Sequence, residues 1–313
     1  MRISSGERTY EWIENWARTP DNESSRTNGR THGVVVSEAG QTIVFHQANP
    51  AVLVFDKAGK LQDAWGDRFE GAHGMTLVQD GDVEYLWLSD QTSGEVVKMT
   101  LDGQTVMNLQ RPALPAYQTG GYAPTWVAVN QERHGGNGDI WVADGYGQNF
   151  IHRYDKLGRY LASINGEEGQ AGAFKCPHGI WVDTRKSVPE LYIADRGNRR
   201  VQVYDLDGQF KRAFGSDFLT SPCGFVTHGD DLLIPELFAR LTILDAHDNL
   251  VCYLGENEEV VGVAGWPNHP AEMIVPGKFN SPHGMAADHA GNLFVVEWIL
   301  GGRITKLARQ GRA

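Results

Sequence analysis

Short apolar runs, rich in β-branched and aromatic residues, alternate along this chain with clusters of Gly, Asp, Asn and Pro. The stretch Pro177 to Asp205, PHGIWVDTRKSVPELYIADRGNRRVQVYD, shows the pattern most clearly. It predicts three strands, Gly179 to Asp183, Leu191 to Ala194 and Arg200 to Asp205, with breaks at Lys186-Ser187-Val188-Pro189 and Arg196-Gly197-Asn198. In an antiparallel meander the start of the first strand and the end of the second share one edge of the sheet. His178 and Asp195-Arg196 are therefore expected to fall together.

The same unit recurs along the chain. Its opening His-Gly step appears as His32-Gly33-Val34, His73-Gly74-Met75, His178-Gly179-Ile180 and His283-Gly284-Met285, with degenerate copies at Pro124-Thr125-Trp126 and Cys223-Gly224-Phe225. A second strand ending in a polar residue follows each: IVFHQ, YLWLSDQ, IWVADGY, LYIADR, LLIPE and LFVVEW. Third strands such as VLVFD, IHRYD, VQVYD and LTILD lead through an Asp-initiated turn to a fourth. Four antiparallel strands repeated six times predict an all-β fold, a six-bladed β-propeller read as a single domain over residues 1–313. The last unit supplies only three strands. The alternating segment Thr9 to Trp16 is expected to provide its fourth and close the ring, removing two exposed sheet edges. The long connections Gly166 to Cys176 and Gly255 to Pro282 join outer to inner strands and read as lids or walls over a site, with a disordered insertion as the alternative for the second.

Inner strands begin near the channel of a propeller, so the four histidines of the His-Gly steps should converge there. His73, His178 and His283 lie 105 residues apart, in alternate units. Three imidazoles with an open position match a catalytic zinc site. His32 would be a fourth nearby histidine, serving as a ligand, a proton carrier or a group supporting the ligands. The alternative is that His-Gly is a turn signature in which each imidazole binds backbone. The ends of the second strands form another row: His46-Gln47, Asp90-Gln91, Asp144-Gly145-Tyr146, Asp195-Arg196, Glu236 and Glu297-Trp298. Asp144 and Asp195 read as turn caps. Tyr146 could act as a general base and Arg196 could clamp a carboxylate or an oxyanion. Arg200, Arg240 and Arg303 recur at third-strand starts and read as structural.

Composition narrows the partners. With 313 residues, 41% hydrophobic and 21% charged, the chain has the balance of a globular protein. Its net charge of −11 argues against nucleic acid or an anionic membrane surface as partner, leaving a small-molecule or peptide substrate. No apolar run approaches the roughly 20 residues that span a bilayer, and the opening residues carry no apolar signal core, so a cytoplasmic setting is expected. Cys176, Cys223 and Cys252 make no disulfide framework.

The PHGI…LYIADRGNRRVQVYD unit resembles NHL repeats. The set HGM (73–75), VADGYGQN (142–149), PHGI (177–180), ADRGNRR (194–200) and SPHGM (281–285) resembles the peptidyl-α-hydroxyglycine α-amidating lyase family. That resemblance implies a six-bladed propeller with a channel zinc that cleaves a peptidyl hydroxyglycine to an amide and glyoxylate. It implies zinc on His73, His178 and His283, Tyr146 as base and Arg196 as a substrate arginine. The chain also departs from the family. Phe45-His46-Gln47 stands where the family has FHR, which removes an arginine. Pro282-His283-Gly284 stands where it has PHD, which removes a carboxylate from the family's calcium site, so no calcium is expected here even though the Val34 and Met75 carbonyls remain. The family's disulfide cysteines are missing. Three readings follow: a zinc-dependent lyase of this type, or a relative acting on another small polar hydroxylated substrate; a non-catalytic NHL propeller that binds a protein or ligand; and a propeller hydratase, isomerase or hydrolase of a sugar-like substrate. In the third, Glu236 or Glu297 serves as acid or base; His46, Gln47 and Gln91 are further candidate site residues whichever reading holds.

Overall fold

The computed structural model describes residues 1–6 and 8–311. The chain is a six-bladed β-propeller, almost entirely sheet, with one short α-helix at Glu23–Asn28 among the described residues. Five blades are four-stranded antiparallel meanders, starting at Thr31–Val36, Ala72–Asp80, Trp126–Val129, Pro177–Asp183 and Val226–His228. The sixth has inner strands Pro282–Ala287, Leu293–Glu297 and Arg303–Arg309. Its fourth strand is Arg8–Ala17, antiparallel to Arg303–Arg309, with Trp12 opposite Leu307. The expected closure by Thr9 to Trp16 is therefore observed. It extends one strand further, because Arg2–Ser5 pairs with Arg8–Ala17 and makes this sheet five-stranded.

The blades pack into two compact units. One comprises Met1–Arg68 with the chain from Cys223 onward, which is blades 1, 5 and 6; the other is Phe69–Pro222, blades 2 to 4. In the first, Val44, Leu53 and Phe55 meet Phe294, Val296 and Ile304. In the second, Trp126, Ala143 and Ile151 meet Ile180, Ile193 and Tyr204. Inner and middle strands carry these apolar faces and are buried. Outer strands such as Leu61–Trp65 are exposed at their start and half-buried at their end, as befits an edge strand.

The His-Gly step has a structural cause. In blades 1, 2, 4 and 6 the inner strand carries one residue more than its partner at this step. The register runs from Thr31↔His46 to Gly33↔Phe45, from Ala72↔Asp90 to Met75↔Leu88, from Pro177↔Asp195 to Ile180↔Ile193 and from Pro282↔Glu297 to Gly284↔Val296. A β-bulge re-aims the side chain within it, and here that side chain is histidine. Glycine follows because a neighbouring carbonyl comes too close for a Cβ. A Cβ on Gly74 would lie 2.3 Å from the Thr125 carbonyl, and one on Gly284 would lie 2.2 Å from that of His32.

Candidate metal and substrate centre

The carbonyls that exclude a Cβ also hold the imidazoles. His73 Nδ1 donates to the Thr125 carbonyl at 2.8 Å, and His283 Nδ1 to the His32 carbonyl at 3.1 Å. His32 Nδ1 donates in turn to the Arg30 carbonyl at 3.2 Å. A carbonyl can only accept, so Nδ1 carries the proton and Nε2 carries the lone pair in all three rings. This is the tautomer that a metal ligand requires, oriented by a backbone partner. Burial drives the His73 pKa down to about 3, opposed by the Thr125 carbonyl and reinforced by the Arg196 charge, so this imidazole is neutral near pH 7.

In the unit of blades 2 to 4, two of these rings meet a phenol and a guanidinium. The Tyr146 hydroxyl lies 3.2 Å from His73 Nε2 and 3.1 Å from His178 Nε2. Arg196 Nη2 donates to the same hydroxyl at 3.1 Å and to Cys176 Sγ at 3.3 Å, with its guanidinium over the Tyr146 ring. His73 and His178 are fully buried, whereas Tyr146 remains 40% exposed, so the cluster opens to solvent through its phenol. In the unit of blades 1, 5 and 6, His32 and His283 face each other edge-on with ring centroids 4.5 Å apart. Among the described residues, buried histidine and cysteine side chains form groups that could hold a metal ion.

The second-strand row is mostly structural. Asp144 accepts from the Ala123 and Gln148 amides, both at 2.7 Å, and thereby shapes the loop that presents Tyr146. Asp195 accepts from the Lys175 amide and from Arg200, both at 2.8 Å. Asp90 takes the Gly71, Thr92 and Ser93 amides. Glu297 takes the Asn280 and Ser281 amides and Arg303, while Glu236 takes Arg240 and Thr242. Arg200, Arg240 and Arg303 are thus the structural partners expected of them. Each carboxylate ties the end of a second strand to the loop entering the inner strand or to the third strand. Glu236 and Glu297 are fully buried in these pairings, a setting that suits a strut better than an acid or base exchanging protons with substrate. His46 is also buried. Its Nε2 donates to the Pro50 carbonyl at 2.7 Å, and burial lowers its pKa to about 4 against the Pro50 and Gly29 carbonyls. Gln47 and Gln91 donate their backbone amides to Arg30 and Gly71, each at 2.9 Å.

Two features of the cluster escaped the pattern of the sequence. Cys176 sits at positive φ beneath Arg196, and a single cysteine in a loop gives no periodic signal. A buried chain also runs behind Asp144: Tyr117 donates to Asp144 at 2.6 Å and meets His152 Nε2 at 2.7 Å, and His152 Nδ1 meets Ser163 Oγ at 2.7 Å. Burial pushes Tyr117 and Asp144 up and lowers His152 to about 3. His152 lies in a third strand, where the repeat predicts only packing.

No known family profile matches the chain. A Caenorhabditis elegans protein named probable peptidyl-alpha-hydroxyglycine alpha-amidating lyase is 28% identical over 58% of this chain and 57% of its own length. Human NHL repeat-containing protein 3 is 29% identical over 63% of the chain and 58% of its own length. Peptidyl-alpha-hydroxyglycine alpha-amidating lyase 1 of Drosophila melanogaster is 26% identical over 91% of the chain and 58% of its own length. The chain thus spans less than two thirds of the length of these relatives. Among solved structures, a gluconolactonase of Xanthomonas campestris superposes with a TM-score of 0.67 at 13% identity, covering 99% of this chain and 94% of its own. A streptogramin B lyase gives 0.64 at 12% identity, covering 96% of this chain and 98% of its own. At that identity these two share the fold alone. The chain is a six-bladed β-propeller similar in sequence to amidating lyases and to NHL-repeat proteins.

Proposed function

We propose that the protein is a metal-dependent lyase that cleaves the C–N bond of a peptidyl α-hydroxyglycine or of a closely related small hydroxylated substrate. The observation that carries this reading is the Tyr146 hydroxyl, gripped by His73 Nε2, His178 Nε2 and Arg196 Nη2. His73, His178 and His283 occupy the same bulge in alternate blades and would hold the ion, with His32 beside His283. Two of the ligands, His73 and His283, have Nδ1 committed to backbone carbonyls, which fits the donor set a divalent ion such as zinc prefers. When bound, the ion supplies positive charge beside the substrate hydroxyl and eases its deprotonation.

The rest of the chemistry belongs to side chains. Tyr146 takes the hydroxyl proton, and Arg196, donating to the phenolic oxygen, stabilises negative charge there. As the C–O bond becomes a carbonyl, the C–N bond breaks; the nitrogen takes a proton and leaves as a primary amide, and the remainder departs as glyoxylate. Arg196 is also placed to hold the glyoxylate carboxylate. The similarity to proteins named lyase supports this chemistry, while the NHL-repeat similarity keeps a non-catalytic binding module as the second reading.

Elemental analysis of protein purified without chelator, together with glyoxylate release from α-hydroxyhippurate, tests the reading. The expected result is about one metal per chain, lost in His178→Ala, with turnover that depends on it. Bound metal without glyoxylate release refutes the amidating-lyase reading. Absence of metal in wild-type protein favours the binding module.

A further inference from the structure

Among the described residues, Arg30 is a cation without a counter-charge. It lies two residues before His32, in the loop entering the first inner strand. Among the described residues its Nε is buried with no hydrogen-bond partner, and its side chain makes one bond, a long one of 3.3 Å from Nη1 to Asn28 Oδ1. No carboxylate pairs with it among the described residues, and burial alone lowers its pKa. Arg200, Arg240 and Arg303, at the third-strand starts, hold carboxylates, whereas Arg30 before the first inner strand does not among the described residues. The Arg30 backbone serves the candidate centre directly, since its carbonyl receives both His32 Nδ1 and the Gln47 amide.

The guanidinium of Arg30 lies over the Trp298 ring, 5.3 Å from Cζ to the centroid. From there a row of aromatic rings continues within the same unit: Trp298 to Trp266 at 6.4 Å, and Trp266 to Phe238 at 5.9 Å. All four side chains are partly exposed. Phe238 and Trp298 follow the second strands of blades 5 and 6, so they share the edge where His283 begins its strand. Trp266 belongs to the long connection after Gly255, which is fastened in place. Trp266 Nε1 donates to the Asn280 carbonyl at 3.0 Å, Asn280 Nδ2 to the Pro267 carbonyl at 2.7 Å and the Leu300 amide to Asn268 Oδ1 at 2.9 Å. A guanidinium stacked on an indole keeps its N–H groups for an acceptor lying in its plane, and carboxylate is the acceptor that matches this fork.

We infer that Arg30, Trp298, Trp266 and Phe238 form a subsite for a ligand that joins a carboxylate to a planar apolar group. The carboxylate pairs with Arg30 and the planar group lies along the aromatic row. This deepens the lyase reading and rests on it for the identity of the substrate.

Equilibrium binding of N-benzoylglycine to chelator-treated protein, read by tryptophan fluorescence and by calorimetry, tests the subsite apart from catalysis. Its neutral counterpart N-benzoylglycinamide is the control. Wild-type protein is expected to bind the acid more tightly than the amide. Arg30→Ala should weaken the acid about 10- to 100-fold and leave the amide unchanged, as loss of a charge-assisted pair predicts. Arg30→Lys, which retains charge and keeps the loop filled, should fall between the two, and Trp298→Leu should weaken both ligands. Equal binding of the acid by wild type, Arg30→Ala and Arg30→Lys, or no binding by folded wild type, overturns the inference. Arg30-dependent binding in a metal-loaded protein that releases no glyoxylate upholds the subsite and removes the lyase reading.

Discussion

The two compact units are each built from three blades of one repeat, yet they are held and used differently. Blades 2 to 4 come from one continuous stretch, Phe69–Pro222, and each blade is complete in itself. Blades 1, 5 and 6 draw on both ends of the chain, and blade 6 is completed by the pairing of Arg8–Ala17 with Arg303–Arg309. The histidines differ in the same way. In the continuous unit, His73 and His178 meet Tyr146 and Arg196. In the composite unit, His32 and His283 lie edge-on at 4.5 Å, much as His73 and His178 do at 4.7 Å, and their Nδ1 atoms meet backbone carbonyls as His73 does; the difference lies in the Tyr146 and Arg196 contacts. Identical bulges thus produce unlike sites, because what a histidine meets is set by the residues after the second-strand carboxylates. Those residues are the least constrained by the repeat. The strut carboxylates beside them are the most constrained.

Removing residues 1–18 should separate the units most sharply. The deletion takes away buried Tyr10, Trp12 and Ala17, and leaves Arg303, which pairs with Glu14 at 2.7 Å, without one of its carboxylates. Lost apolar burial and the lost Glu14 pairing together should cost roughly 5 kcal/mol or more, lowering Tm by about 10 °C or more. Hydrogen exchange should accelerate in Arg303–Arg309 while Arg200–Tyr204 stays protected. An unchanged melting curve would show that the composite unit does not depend on the terminal strand.

A second test addresses chemistry in the continuous unit. Tyr146→Phe should reduce kcat by about 10²–10⁴ with little change in KM, since the base acts only in the transition state. His32→Ala, in the composite unit, should have a much smaller effect on kcat. Comparable losses from the two variants in steady-state glyoxylate assays would erase the distinction drawn between the histidine pairs.

Acid sensitivity gives the smallest difference when it is read for one histidine at a time. Burial lowers His46 to about 4, and His73 and His152 to about 3, each below the ordinary value of 6.5. The unfolded chain therefore binds protons that the folded chain refuses. The stability due to these groups is complete above about pH 6.5 and is lost as pH falls toward their folded values, by about 1.4 kcal/mol per pH unit for each proton. Two of the three lie in the continuous unit. Urea midpoints of metal-free protein at pH 7 and pH 5 should fall less in His152→Gln than in wild type; equal falls would remove His152 from this account.

Much of the fold was legible in the sequence because the repeat states it many times. Alternation within runs such as VQVYD sets strands, and Asp-initiated turns set hairpins. Six copies of the unit set the blade number, and the orphan segment around Trp12 announced its role in blade 6. The structural arginines 200, 240 and 303 were legible by the same repetition. The cluster around Tyr146 was legible in part: His178 and Arg196 share an edge through one hairpin, a local fact that antiparallel pairing dictates. The Thr125 carbonyl that orients His73, the Cys176 thiol under Arg196 and the chain through Tyr117 and His152 required the tertiary structure, because each joins residues distant in sequence by contacts that leave no period behind. The same holds for Arg30. In the sequence it is one arginine before a His-Gly step; only the fold sets it on Trp298 with no carboxylate partner among the described residues, since burial and partnership belong to the packed chain and not to the residue.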